Sequence, residues 1–516
     1  MFPPSGGEKD YFAPEVTKSG CIPANRSVNF NSKTIVIPFN EFIKLNNPSE
    51  NIIISPAMEQ KPEYVIKGKK LMIHLKSELK PNTTYTLNFG NAIADITENN
   101  VATGLNYVFS TGNTLDSLRI SGQVTNAFTN APEKNVWVVL HKNATDTAFQ
   151  KCFPDYLAKT DAEGNYELQN LSAGEYSLFA LSDINGNYRY DHPEENIAFI
   201  AEKAIADTTE HPYYLKMFNE HSEDLKLKSS RFIWPGRMQL VFNKSYPFWH
   251  MKSSDTVTGI MSYTAYKNAV GDTVDFWLRN PAKENGDEFR IVLKMNYDTL
   301  NPKYDTITFR ASGVKESVPG MKLRSNASKN FNLYSKLKMK YDRPVFLYRK
   351  EKIHLYKNDS VPVHPATETL GYGISFVNSW EEKTKYKIVL EDSVFADLFY
   401  GKYSKADTIE FTTLKKEYFG NLFATIRVAD TNYMAELLEG DKVIQFLPVP
   451  DAGAMEFTNL KPGTYKLRVY HDENNNWHWN TGNLSEKRQP EKIYYYKEPI
   501  VIRSNWDFDL NWKIEN

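Results

Sequence analysis

The sequence predicts an all-β protein, an elongated tandem array of about five β-sandwich domains of Ig-like and related type. Three observations predict it. Short runs such as TIVIP, VWVVLHK, FRIVLKMNY and TYKLRVYHD alternate apolar and polar residues, the two-residue period of a half-buried strand. Turn signals (PNTT, AEGN, INGN, KPGT) punctuate these runs, and long stretches with the helical period are scarce. Two kinds of repeat recur along the chain. At roughly 100–200 residues per domain, 516 residues must build several cores. Aromatics make up 14% of the chain, which suits strands, whose pleated faces pack flat rings. One segment, EDSVFADLFYGKY (391–403), reads as a short helix.

The first repeat opens with a strand and an aromatic-polar pair: TIVIPFNEFI from Thr34, RMQLVFNKSY from Arg237 and KLKMKYDRPV from Lys336. Each copy closes with two strands carrying aromatic anchors, Tyr85 and Phe109, Phe289 and Phe309, Tyr386 and Phe411, separated by 24, 20 and 25 residues. The second repeat shares N-L-x-x-G-x-Y: Asn170, Leu171, Gly174 and Tyr176, then Asn459, Leu460, Gly463 and Tyr465. It reads as a hairpin in which Gly supplies a positive φ and Tyr starts the next strand on its buried face. The boundaries that follow are a flexible leader at 1–18 and an Ig-like domain at 19–113. A sandwich of the second type spans 114–212, Ig-like sandwiches span 213–313 and 314–414, and the second type returns at 415–516.

PPSGGEKD, IPANRSVNFNSKTIVIPFNEFI, LKPNTTYTLNFGNAIADITENN and YVFSTG together resemble the SbsA-type bacterial Ig-like domain at the start of Bacteroidetes lipoproteins. The segment from DSLRISGQVTNAF resembles the carboxypeptidase-regulatory-like, transthyretin-like β-sandwich, a module without catalytic residues of its own. The resemblance implies a lipidated cysteine shortly before the SGG-x-KD leader. Cys21 lies too far in to be that residue, so the expectation is an ectodomain whose N-terminal lipid anchor is missing from the sequence. It further implies a non-catalytic outer-membrane lipoprotein, exposed at the cell surface. Such a protein would be a scaffold or accessory subunit whose partner is an outer-membrane protein complex or β-barrel protein. A glycan-binding surface lipoprotein is the alternative. Asp-Ser/Thr-x steps such as Asp116, Asp207 and Asp407 resemble the O-glycosylation sequon of exported Bacteroidetes proteins, although Asp and Ser/Thr also end turns.

Charge and motif content narrow the chemistry. Lys+Arg 62 against Asp+Glu 63 leaves a net charge of −1, and no Lys/Arg block stands out, so no nucleic-acid partner is expected. Cys21 and Cys152 form no C-x-x-C and build no zinc set; two free thiols are expected rather than a disulfide. There is no G-x-S-x-G, H-E-x-x-H or G-x-x-x-x-G-K-[ST], and the carboxylate pairs Glu194/Glu195 and Glu381/Glu382 read as exposed. The expectation is a protein that is not an enzyme.

The candidate site is a duplicated Asp/Asn cluster. Asp183 lies nine residues after Gly174, and Asp472 lies nine after Gly463. Asp183, Asn185, Asn187, Asp191 and Glu194 occupy positions 1, 3, 5, 9 and 12, a spacing that can supply a calcium ion with oxygens. The second copy offers Asp472, Asn474, Asn476, Asn480 and Asn483. Position 6 is Tyr188 or Trp477 where an EF-hand has Gly, and no helix pair flanks either loop. The competing reading is a turn whose Asp and Asn side chains cap their own backbone. Among aromatic-rich stretches, Trp249, Trp477 and Trp479 are the candidate interaction residues, with packing between layers as the alternative.

Overall fold

The structure, a computed structural model, describes residues 9–142, 147–209, 211–220, 225–246, 252–255, 263–268, 271–280, 282–296 and 302–514. The described chain is almost entirely β, with two four-residue α-helices, Pro48–Asn51 and Ala148–Lys151. It divides into two compact units. One is Met1–Ser222 with His471–Ile493, and the other is Glu223–Tyr470 with Tyr494–Asn516.

The first unit begins with a sandwich of two three-stranded sheets. One has the order Thr34–Pro38, Lys70–His74, Glu63–Lys67; the other Ile53–Ser55, Thr84–Asn88, Asn106–Ser110. Between them lies a core that includes Ile35, Ile37, Leu71, Ile73, Leu87 and Phe109; Thr34–Pro38 and Lys70–His74 alternate strictly between inward and outward residues. The next module pairs Tyr156–Lys159, Trp137–Lys142, Gly174–Leu181 and Ile197–Phe199, with Ala204–Ala206 also on the third strand. Its second sheet runs Asn165–Leu171, Leu118–Asn126, Pro212–Met217, the last pairing being parallel. Gly122 makes this parallel approach possible, because a Cβ there would lie 1.8 Å from the Tyr213 carbonyl oxygen.

The second unit holds three further cores. One is built on Met238, Leu240, Phe276 and Ile291, one on Leu337, Phe376, Ile388 and Phe411, and one on Leu422, Phe457, Leu467 and Leu510. The third of these repeats the plan of the second module. Its three-stranded sheet is Ala454–Leu460, Gly420–Arg427, Asp507–Lys513, again with one parallel pairing, and its partner sheet has five strands.

The aromatic anchors turn out to be direct cross-strand neighbours: Tyr85 opposite Phe109, Phe289 opposite Phe309, and Tyr386 opposite Phe411. In the first and third pairs the rings stack with centroids 5.2 Å apart in both cases. Each of these two tyrosines also accepts a backbone N–H five residues back, from Lys80 or Glu381. An apolar ring thus packs the core while its hydroxyl secures the preceding turn.

Two expectations are corrected. In the N-L-x-x-G-x-Y repeat, the left-handed backbone common to both copies belongs to Asn170 (φ 57°) and Asn459 (φ 58°), while Gly463 has no positive φ. Asn tolerates that conformation, and the ladders of both strands shift register near this end. Tyr176 and Tyr465 are buried as expected, and each donates its hydroxyl proton to a carbonyl four residues back, Ser172 or Lys461. The segment 391–403 is not helical. Phe395–Asp397 pairs with Val345–Leu347, and the Asp397 carboxylate caps the N–H groups of Phe399 and Tyr400. Burial of Phe395 in the sandwich core overrides a weak local helical period.

Candidate functional site

The first Asp/Asn loop leaves the strand Gly174–Leu181 and closes on itself. Asp183 Oδ1 accepts the N–H groups of Gly186 (2.8 Å) and Asn187 (3.2 Å), and Oδ2 accepts that of Tyr188 (2.9 Å). The Asn185 and Asn187 side-chain amides donate to the two Asp191 oxygens at 2.9 and 2.7 Å. The second loop repeats these bonds except at position 4, where the Asn475 N–H donates to the Asp472 backbone carbonyl instead of its carboxylate. Asp472 accepts the N–H groups of Asn476 (3.0 Å) and Trp477 (2.8 Å), and Asn474 and Asn476 both donate to Asn480. The backbones match as well. Position 4 is left-handed in both loops (Gly186 φ 74°, Asn475 φ 57°), and so is position 6 (Tyr188 φ 60°, Trp477 φ 66°). A bulky residue with positive φ is strained, and it persists only where surrounding contacts over-determine it. Here the Asp carboxylate holds its N–H, and Tyr188 additionally packs edge-on against Trp137 at 4.9 Å.

The structure brings Asp183, Asn185, Asn187 and Asp191 together but leaves Glu194 outside, exposed to solvent. The residue that completes the loop is its neighbour. Glu195 is fully buried, correcting the reading of Glu194/Glu195 as an exposed pair. Glu195 Oε1 accepts the Ile184 N–H, and Oε2 accepts those of Asp191 and His192. In the second loop Glu491 does the same work for the N–H groups of Glu473 and Asn480. Spacing could not reveal this pair, since Glu195 lies 12 residues after Asp183 and Glu491 lies 19 after Asp472. Asn483, at position 12 of the second copy, instead accepts from Ser485 and Glu486. The oxygens at positions 1, 3, 5 and 9 are those that could hold a hard cation, and in this arrangement they are already engaged by N–H groups. Among the described residues no group of three or more His, Cys, Asp or Glu is clustered to hold a metal ion.

Burial pushes the Glu491 carboxyl up to about 7, against the pull of the N–H groups of Asn480 and Glu473 and with the push of the Asp472 and Glu473 carboxylates. The folded state therefore holds this proton more tightly than the unfolded chain does. The resulting stabilisation is fully present below the ordinary carboxylate range and is lost as pH rises through about 7. Stability is expected to fall by about 1–2 kcal/mol from this group between about pH 5 and pH 8. Denaturant unfolding across that range checks it: Glu491→Gln should remove that part of the slope, and an unchanged slope would refute the assignment.

Both loops belong to the first unit. The segment carrying the second loop packs there through Trp479, whose ring meets Phe128 at 4.9 Å and whose indole N–H donates to the Glu491 carbonyl at 2.7 Å. Thr481 donates to the Asn219 carbonyl and Gln489 to that of Phe199, both at 2.9 Å. Trp479 is thus a packing residue, whereas Trp477 is 58% exposed. Trp249 lies outside the described residues. Cys21 and Cys152 are both free.

Residues 10–111 match the family model of a bacterial Ig-like domain, a non-catalytic fold. The chain is an array of β-sandwiches whose first member is of that type. No curated protein matches it. Among solved structures, the major pilin subunit BcpA of Bacillus cereus is 10% identical, with 77% of this chain and 99% of that one covered and a TM-score of 0.13. The S-layer protein rSbsC is 11% identical, with 94% and 67% covered and a TM-score of 0.14. PorU from Porphyromonas gingivalis is 10% identical, with 90% and 34% covered and a TM-score of 0.14. At such scores the likenesses carry no functional argument.

Proposed function

We propose that the protein is a non-catalytic surface lipoprotein of a Bacteroidetes outer membrane, acting as a scaffold or accessory subunit of an envelope complex. A β-barrel machine for assembly, secretion or uptake is the partner class. The observation that carries this reading is the recurrence of one sandwich plan, with its cross-strand aromatic pair at the same place in three modules. Such repetition builds spacing and surface. The leader's resemblance to lipoproteins adds the anchor; no helix among the described residues is long and apolar enough to cross a membrane. A mild-detergent pull-down of the lipidated protein from its native membranes tests it. A stoichiometric β-barrel protein is the expected result, and recovery of the protein alone would sink the reading.

The glycan-binding alternative is favoured by one observation, the exposed Trp477 ring at the tip of the second loop. Binding to a glycan array that disappears in Trp477→Ala would support it, and no binding to any sugar would end it. Calcium belongs to the same proposal for the first loop, where Asp183 and Asp191 supply two carboxylates. Millimolar Ca²⁺ is expected to raise the melting temperature by a few degrees, and Asp183→Ala should abolish the rise. No shift in the parent protein would dismiss the ion.

A further inference from the structure

We propose that the outward face of the sheet Asn165–Leu171, Leu118–Asn126, Pro212–Met217 is a binding groove for a neutral oligosaccharide. This site is separate from the Asp/Asn loops and does not depend on the envelope-complex reading. An open cleft of about 670 Å³ lies over the sheet, a size within the usual range for small-ligand sites. Strand register places its lining in two rows. Asn165, Gln123 and Tyr214 stand side by side across the three strands, and Glu167, Ser121 and Pro212 form the next row on the same face.

The polar groups are held in place before any ligand arrives. Gln123 Nε2 donates to the Glu163 carbonyl at 2.9 Å, and Asn165 Nδ2 donates to Asp161 Oδ2 at 3.2 Å. Arg119 Nη1 donates to Glu167 Oε1 at 3.4 Å. The amide carbonyls of Gln123 and Asn165 remain as oriented acceptors. Tyr214, at the end of its row, is 67% exposed and offers a ring face. Arg119 and Lys159 balance Asp161 and Glu167 around the cleft, so it selects no net charge. Fixed donors and acceptors beside one open aromatic ring suit a ligand rich in hydroxyls with apolar C–H faces.

The fold does not require these residues. In the sister sheet the same register positions hold Ala454, Thr425 and Asn511 in one row, and Glu456, Phe423 and Asp509 in the other. Phe423 stands where the groove has Ser121. The sister sheet therefore shows that this backbone accepts a bulky ring at the position, one that would fill the cleft.

Titration calorimetry of the full chain with neutral gluco-, manno-, galacto- and xylo-oligosaccharides tests the proposal. At least one should bind at a single site. Ser121→Phe and Tyr214→Ala should each weaken that binding by about tenfold or more with an unchanged melting temperature, and Trp477→Ala should leave it intact. Failure of every neutral saccharide to bind, binding retained in both groove variants, or binding of charged saccharides alone would overturn it.

Discussion

Truncating Phe109 to alanine is expected to destabilise the N-terminal Ig-like module by about 3–5 kcal/mol, the range for a large ring removed from a closed core. Phe109 is fully buried and stands at the meeting point of three aromatics. Its ring lies 3.9 Å from Phe30, 5.2 Å from Tyr85 and 6.0 Å from Tyr107, centroid to centroid. Deleting it takes a stacking partner from Tyr85 on the neighbouring strand and leaves a void that three rings line. Denaturant unfolding would show the module's transition at a much lower midpoint. Phe411→Ala should do the same to the corresponding module of the second unit, where Phe411 stacks on Tyr386 and meets Phe331 and Trp380 edge-on. A loss below about 1 kcal/mol at either site would mean that the pair is incidental to its core.

Replacing Glu195 with alanine is expected to cost about 3 kcal/mol or more, while the same change at Glu194 should stay within about 0.5 kcal/mol. The two residues are adjacent and chemically identical, so the contrast isolates position. Glu195 alone gathers three backbone N–H groups, and without it Ile184, Asp191 and His192 lose their acceptor at a buried site. Thermal unfolding and limited proteolysis within 183–195 read the effect. Equal tolerance of both substitutions would remove Glu195 from the account of how this loop is held.

Local chemistry explains what was legible. Period-two alternation marks strands such as Thr34–Pro38 and Lys385–Leu390 because one face meets a core and the other meets water. The aromatic anchors were visible for the same reason: large rings near the ends of alternating runs have few places to go but inward. The paired loops were visible because Asp and Asn bond to their own backbone a few residues on, which makes their spacing a local property. The loop's acceptor for the backbone was not visible. Glu195 and Glu491 reach it from different distances along the chain, and only burial distinguishes Glu195 from Glu194. The side Trp479 faces was equally hidden, since its neighbours Phe128 and Glu491 come from separate parts of the sequence.

By itself the sequence determined the all-β class, the repeat of strand and turn, and the two self-capping loops, all of which rest on interactions between residues near one another in the chain. Only the tertiary structure decided the rest. It placed His471–Ile493 in the same unit as the first loop, gave the closing role to two buried glutamates, made a strand of 395–397, and lined three strands up so that Asn165, Gln123 and Tyr214 share one face. These outcomes depend on which distant surfaces bury together and which backbone groups that burial leaves in need of a partner, and no periodicity along the chain encodes either.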